Sequence, residues 1–349
     1  MHGRGGFDVI IGNPPYVEYN ESSFDYTVSP DSYITYKCKN LHAYCVERSY
    51  KLSNNKNVGM ILPIGAFTTV NMKPLIDFLD GQQTCQWISS YHFRPGHLFE
   101  GAHIATNIFL TQESAERIRM STGILKFNAN TRDNLFPCIS YVNDAIGFRD
   151  RIPFCFPKLS NDLEYEILCK VFTNRQLANS FSNKENGNPI EYRSAGGLYW
   201  KIVINFPFPY SSTSNKKAYI RNSASKDAVV CFLNSSLQWL FYCEIFDTLN
   251  FKDYYIKSLP FDGERISPPL LSSFGMLCSK LMRDYRKNAV HTKRGNTKCY
   301  HISANLSKPI IDEIDELLAK HYGFTEEELD FIINYDIKYR MGDELNAET

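Results

Sequence analysis

An excess of charge of either sign is missing from this 349-residue chain: 38 lysines and arginines balance 38 aspartates and glutamates. No global basic character therefore points to nucleic acid, and any basic surface must be local. The ten cysteines include no C-x-x-C pair, and His2, His42, His92 and His97 do not fall at paired ligand spacings, which argues against a structural zinc site. Scattered thiols of this kind are expected to be reduced, in a cytoplasmic, prokaryotic setting. No apolar run approaches the roughly 18 to 20 residues that cross a bilayer, and Met1-His2-Gly3-Arg4-Gly5-Gly6 lacks the apolar core of a signal peptide, so a soluble protein without membrane contact is expected. Internal repeats and low-complexity segments are absent too. Length by itself suggests two or three domains.

What is present begins with an alternation of strands and helices. Phe7 to Ile11 is a short apolar run halted by Gly12-Asn13-Pro14-Pro15, and reads as a buried strand ending in a sharp turn. Asn40 to Ser53 carries Leu41, Tyr44, Cys45 and Leu52 at helical spacing, with Asn40 as N-cap. Val58 to Pro63 reads as a second buried strand, residues 71–80 as a short helix, Gln86 to Phe93 as a third strand and Ile104 to Thr111 as a fourth. This order predicts an α/β layer with a largely parallel sheet over residues 1–130. Beyond it Pro, Gly, Asn and Ser become frequent, with an aromatic strand predicted over Tyr199 to Phe206. A buried helix is predicted over Ala228 to Phe246, interrupted at Asn234-Ser235-Ser236. Residues 131–265 thus form an expected α+β domain, and residues 266–349 a helical region. Pro309 to His321 is an amphipathic helix closed by Gly323, and Thr325 with Glu328 is a capping box opening another.

The sharpest motif is Asn13-Pro14-Pro15-Tyr16. From average residue usage it should arise by chance in on the order of one chain in a thousand of this length. One reading is a rigid surface turn, since Pro-Pro fixes φ and removes two amide donors. Its place after a strand favours a functional reading, because open α/β sheets bind ligands beyond the carboxyl ends of their strands. An exocyclic amino group on adenine is a poor nucleophile while its lone pair is delocalised into the ring. Two acceptors on its N–H bonds favour the pyramidal nitrogen of the transition state. The Asn13 side-chain oxygen supplies one acceptor and the Pro14 carbonyl the other, held by Pro15, which confines the preceding residue to extended conformations. Tyr16 offers a flat face for a flipped-out base, worth about 1 to 3 kcal/mol.

With those residues in hand, FDVIIGNPPYVEY resembles motif IV of amino-group DNA methyltransferases, and its Asn form resembles the adenine-N6 branch. NLHAYCVERSYKLSNNKNVGMILPIGAF resembles the helix and strand that follow in γ-type enzymes, including type IIG restriction-modification proteins. HLFEGAHIATNIFL resembles their motif VIII, which implies that Phe99 contacts the target base opposite Tyr16; the competing reading is a core Phe before a strand. AVVCFLNSSLQWLFYCEIFDTLNFKDYYIKSLPF and HYGFTEEELDFIINYDIKYR are similar to stretches of their target-recognition domains and closing helices. The resemblance implies a partial Rossmann-like methyltransferase sheet, an α+β target-recognition domain over 131–265 and C-terminal helices.

It also implies S-adenosylmethionine as cofactor, bound through a Gly-rich loop after a first strand and an acidic residue after a second. Gly3-Arg4-Gly5-Gly6 is not that loop, because it leads into a strand, and reads instead as the linker to motif IV. The expectation is a truncated product or one half of a split enzyme, inactive alone, completed by a separate amino-terminal methyltransferase or restriction polypeptide. The motif IV strand would then expose a bare edge. Double-stranded DNA is the expected substrate. Leu198 to Lys226 holds Lys201, Lys216, Lys217, Arg221 and Lys226 among aromatics and no acid, and a second stretch, Lys280 to Lys298, holds Arg283, Arg286, Lys287, Lys293 and Arg294 against Asp284 alone. Both suit phosphate contacts, with solvated lysines as the alternative; the second reads as a helix and loop. The acidic segment Asp312 to Glu348 is expected to face away from DNA. Glutamine methyltransferases of release factors and ribosomal-RNA guanine methyltransferases share an NPPY turn, but lack a long appended domain. A non-catalytic DNA-binding or specificity subunit of a restriction-modification or phage-defence system is the alternative of another class.

Overall fold

The computed structural model describes residues 6–101, 103–143, 152–172, 180–182, 187–197, 199–221, 225–261 and 263–342. Most of the expected linker at 3–6, Leu198, and the end of the acidic segment lie outside the described residues. The chain separates into two compact units, one of residues 1–165 with 243–247, the other of residues 166–242 with 248–349.

The first unit is built on a six-stranded sheet. Its strands are β1 (Ile10–Gly12), β2 (Val58–Pro63), β3 (Thr84–Tyr91), β4 (Thr106–Glu113), β5 (Ile118–Leu125) and β6 (Val142–Asn143), in spatial order β1-β2-β4-β3-β5-β6. The sheet is mixed rather than largely parallel. β1 pairs parallel with β2, and β3 with β5, but β4 runs antiparallel between β2 and β3, and β6 antiparallel to β5. The connection from β3 to β4 holds no helix among its described residues, and a parallel neighbour is usually reached through a crossover helix.

Helices α1 (Leu41–Leu52) and α2 (Lys73–Asp80) pack on one face of the sheet. There Val46, Tyr50, Leu75, Ile76 and Leu79 join Met60, Leu62, Ile88 and Phe109 in one core, with Ile10 against it. Fully burying one such side chain stabilises by about 1.5–3 kcal/mol. Asn40 caps α1, accepting from the His42 amide at 3.4 Å. The opposite face carries a smaller cluster of Tyr91, Phe127 and Leu135.

The expected buried first strand is corrected. β1 is a three-residue edge strand, and Phe7, Val9 and Ile11 are 60%, 56% and 82% exposed. Only Ile10 points into the core, because alternate side chains face opposite sides of a strand. The expected positions of β3 and β4 are each displaced by two residues.

Helix α3 (Asp162–Val171) leads from the first unit to the second. In the second unit, strands β7 (Phe181–Ser182), β8 (Asn188–Arg193), β9 (Val203–Ile204) and β10 (Asn215–Ile220) form an antiparallel sheet in the order β7-β10-β8-β9. The strand expected over Tyr199 to Phe206 shrinks to Val203–Ile204: Asn205-Phe206-Pro207-Phe208-Pro209 follows, and its prolines supply no ladder donor.

The interrupted helix is observed as α4 (Lys226–Asn234) and α5 (Ser236–Ile245), bent by 62°. The bend is held by polar groups. Asn234 bonds both the amide and the carbonyl of Val203, while the buried Asp315 carboxylate accepts the Ser236 and Leu237 amides that open α5. Among the described residues no single helix is long and apolar enough to cross a membrane.

Helices α6 (Asp253–Ser258) and α7 (Pro268–Lys287) come next, then an antiparallel ribbon of β11 (Ala289–Arg294) and β12 (Thr297–Ile302). Helices α8 (Lys308–Tyr322), α9 (Glu326–Asn334) and α10 (Ile337–Met341) complete the unit. Gly323 closes α8 at φ +71°, and Thr325 with Glu328 forms the expected capping box of α9. The loop expected after α7 is in fact the ribbon.

Candidate functional site

β1 delivers Asn13-Pro14-Pro15-Tyr16 beyond its carboxyl end. Asn13 is exposed, Pro14 buried, Pro15 exposed and Tyr16 half-buried. Among the described residues neither the Asn13 carboxamide nor the Pro14 carbonyl accepts a hydrogen bond. Two oxygens in sequence are thus left available.

The segment after the turn is fixed at several points. Tyr19 and Lys39 bond through the backbone at 2.8 Å, and Leu41 with Val17 at 3.0 Å, so residues 17–41 close as a loop onto the start of α1. Within that loop the buried Glu47 carboxylate accepts the Ile34 amide at 3.1 Å and both the Thr35 amide and hydroxyl at 2.8 Å, with the Lys51 ammonium at 2.6 Å. Burial opposes ionisation of Glu47, but Lys51 and the Thr35 and Ile34 donors outweigh it and hold its carboxyl below the usual range. A fixed charge deep in α1 therefore anchors the loop that follows Tyr16.

Tyr16 meets His42 edge to face, with ring centroids 6.2 Å apart and planes at 86°. The Tyr16 hydroxyl and both His42 ring nitrogens are buried without a hydrogen-bond partner. Burial pushes the Tyr16 phenol up to about 12 and pulls the His42 imidazole down to about 4, so both rings are neutral over the physiological range.

Phe99 lies in the connection between β3 and β4 and is 39% exposed. The registers place Pro63 opposite Thr106, and Thr106 opposite Tyr91. The carboxyl ends of β1, β2 and β3 and the start of β4 therefore share one end of the sheet, so the Asn13 turn and the Phe99 connection leave it on the same side. With β2 between β1 and β4, their roots are about 10 Å apart. Asn107 ties this end together, donating to the Pro63 and Ile64 carbonyls and accepting the Ser90 hydroxyl.

The basic candidates fall in the second unit. Lys216 and Lys217 are exposed neighbours on β10, with Lys217 3.2 Å from Glu191. Arg221 is exposed and donates to the Phe181 carbonyl; Lys226 begins α4, half-buried. Arg283, Arg286 and Lys287 are exposed on the last turns of α7, with the Arg286 guanidinium 3.9 Å over the Phe206 ring. Lys201 is 7% exposed and its ammonium donates to the Gly196 carbonyl at 2.8 Å.

Sequence reasoning missed His42, Glu47 and the ribbon. Nothing in the pattern of α1 distinguishes His42 or Glu47 from ordinary helix residues. The ribbon did carry a signal: Gly295-Asn296 as a two-residue turn between alternating strands.

Residues 1–99 match the model of the Eco57I restriction-modification methylase family. No curated protein matches the chain. Among solved structures, a modification subunit of a putative type I restriction enzyme from Vibrio vulnificus YJ016 is 13% identical over 42% of this chain and 35% of that one, with a TM-score of 0.27. A type I restriction-modification system assembly is 12% identical over 80% and 43%, with a TM-score of 0.25. A DrdV–DNA complex is 9% identical over 82% and 46%, with a TM-score of 0.36. The chain spans less than half the length of each of these.

Proposed function

Taking as premise that the first 99 residues match the restriction-modification methylases, we propose that the chain is the target-base and DNA-binding part of an adenine-N6 DNA methyltransferase. One observation carries the reading. A strand of a mixed α/β sheet ends in Asn-Pro-Pro-Tyr with both candidate acceptor oxygens unengaged and the aromatic ring braced on His42. In this reading the Asn13 side-chain oxygen and the Pro14 carbonyl accept the two N–H bonds of an extruded adenine amine. That arrangement stabilises the developing tetrahedral nitrogen more than the planar ground state. Tyr16 stacks on the purine, and Phe99, at the same end of the sheet, bounds its other side. The sheet is the partial Rossmann-like methyltransferase layer, and the second unit contributes to target recognition.

The methyl donor of the family is S-adenosylmethionine. The described residues do not fit it: among them no strand runs through a Gly-rich turn into a helix, the arrangement that would cradle the cofactor. No step is therefore routed through it here. We assign the cofactor site to protein segments beyond the described residues that cover β1, whose outer edge is unpaired among the described residues and whose exposed Val9 and Ile11 suit strand addition. The same misfit favours the second reading, a DNA-binding specificity subunit without catalysis.

The two part in one experiment. The chain is incubated with duplex DNA and methyl-labelled S-adenosylmethionine, alone and together with a polypeptide that carries a strand, Gly-rich turn and helix for the cofactor, and the digested nucleosides are separated. The enzyme reading expects N6-methyladenine in the combined reaction only, and its loss with Asn13→Ala. DNA binding indifferent to cofactor, with no methyl transfer in either reaction, would establish the subunit reading instead.

A further inference from the structure

The ribbon β11–β12 combines three features that the fold itself does not require. It has two strands and no third: Ala289↔Ile302 through Arg294↔Thr297 are paired, closed by Gly295-Asn296 with Gly295 at φ +56°. Its root is fastened by hydrogen bonds to the rest of the unit, and its tip by none among the described residues. His291 Nδ1 lies 2.9 Å from the Tyr210 hydroxyl, and the Arg193 guanidinium donates to the Tyr300 carbonyl at 2.7 Å. By contrast Thr292, Lys293, Asn296, Thr297 and Lys298 are exposed.

The third feature is charge. No acidic residue lies between Asp284 and Asp312, while Arg286, Lys287, Lys293, Arg294, Lys298 and Lys308 do. Lys293 and Lys298 stand directly opposite each other across the ribbon, and neither has a salt-bridge partner among the described residues. Like charges facing across strands destabilise the pair. The Lys298 ammonium lies 5.8 Å over the Tyr210 ring, but no carboxylate among the described residues balances either charge, and a like-charged pair without a counter-ion marks a surface suited to an anion.

We propose that the β11–β12 ribbon enters the major groove of duplex DNA, with Lys293 and Lys298 neutralising backbone phosphates on its walls. This rests on the DNA-binding reading above and names the element that performs it. Strands of six residues reach about 20 Å. Two strands about 4.8 Å apart with their side chains fill a groove about 12 Å wide and 8.5 Å deep, whereas the minor groove, about 6 Å wide, is too narrow. The fastened root gives the tip a defined direction, and the phosphates relieve the Lys293–Lys298 repulsion.

The test uses the full chain and a fluorescein-labelled duplex of mixed sequence, comparing wild type with the double variant Lys293→Gln, Lys298→Gln. These positions lie at the ribbon tip, and circular dichroism and Tm verify that the variant folds. We expect affinity at 50 mM salt to fall at least about tenfold, and the slope of log K against log salt to become shallower by about 1.8, two contacts at about 0.9 each. In dimethyl sulfate footprints, wild type should protect guanine N7 in the major groove and leave adenine N3 in the minor groove reactive, and the variant should lose that protection.

A variant that keeps wild-type affinity and slope overturns the proposal while leaving the DNA-binding reading intact. The same holds if the variant merely aggregates with affinity unchanged, since the lysines would then protect an exposed strand edge. Protection of adenine N3 in place of guanine N7 overturns the groove assignment. Wild-type protein that binds no duplex at all defeats the reading under "Proposed function" itself.

Discussion

Asn13 and Asn234 are the same residue put to opposite uses in the two units. Asn234 is 3% exposed and makes four hydrogen bonds: its oxygen accepts the Val203 amide and the Tyr285 hydroxyl, and its nitrogen donates to the Val203 and Val230 carbonyls. It fills its bonding capacity in holding β9 against the bend between α4 and α5. Asn13 is exposed and bonds to nothing among the described residues. A polar group fully engaged within the fold explains structure; one that rigid neighbours hold in place but leave unengaged is available to a ligand. The difference separates fold from function without reference to sequence motifs.

Exchanging the two roles would break that comparison, and the largest effects should come from these two residues. Asn13→Ala should leave Tm within about 1 °C, since surface changes usually cost under about 0.5 kcal/mol. It should lower methyl-transfer turnover in the completed enzyme by about 10²–10³-fold, as loss of one preorganised polar contact to the transition state does. Asn234→Ala should do the reverse on a stability assay. It strands the Val203 amide and the Tyr285 hydroxyl in the core and costs about 3 kcal/mol, which denaturant titration would register. A large stability loss at position 13, or a neutral change at 234, would remove the distinction.

Glu47 sharpens the contrast from the engaged side. Glu47→Gln keeps the shape but loses the charge that Lys51, Ile34 and Thr35 converge on, and should cost about 2–3 kcal/mol. Because residues 17–41 close over this carboxylate, their amides should also exchange faster with solvent in the variant than those of β2, by hydrogen-exchange mass spectrometry.

The two kinds of polar residue were not equally legible. The Asn13 turn was readable because Pro-Pro after an apolar run fixes its own backbone and needs no partner to be recognised. The break at Asn234 was visible as a polar interruption of an apolar helix, but Asn234 bonds Val203, 31 residues away, and Ser236 bonds Asp315, 79 residues away, and local pattern carries nothing about such pairings. The same limit explains the sheet. The β2, β3 and β4 runs were found, yet their direction depends on what the connections contain, and the one from β3 to β4 carries no crossover helix among its described residues, which alternation alone does not reveal. Burial of β1 was misjudged because apolar composition does not say whether a neighbour exists on both sides. The Gly295-Asn296 hairpin was legible and was passed over in favour of its charge.

Tyr16 lies between the extremes, half-buried, with a buried hydroxyl that has no hydrogen-bond partner among the described residues. If the ring is what the ligand uses, Tyr16→Phe should hold turnover within about threefold. Tyr16→Ala should weaken binding of the extruded base by about 1–3 kcal/mol, read from 2-aminopurine fluorescence at the target position. A Phe variant as defective as Ala would transfer the role to the hydroxyl.

The smallest effect tests the converse case, a group unengaged but enclosed. Both Glu244 carboxyl oxygens are buried without a partner, while the Lys158 ammonium bonds the backbone carbonyls of Glu244 and Phe246 instead. Burial, with Glu164 adding to it and Lys158 opposing, pushes the Glu244 pKa well above the usual carboxylate range. A carboxyl raised in the folded state contributes fully below its unfolded pKa, and that contribution is lost as pH rises toward the folded value, because the native state must either retain a proton or bury a charge. His42 and Glu47, both lowered, act with the opposite sign and lose stability as pH falls. Glu244→Gln should therefore be near neutral at pH 4 and stabilising at pH 7, by on the order of 1 kcal/mol or about 2–4 °C in Tm. A gain at pH 4 that vanishes at pH 7 would reverse the assignment. An unengaged carboxyl that only burdens the fold, beside an unengaged carboxamide that faces solvent, would show that exposure and not mere lack of partners marks the candidate site.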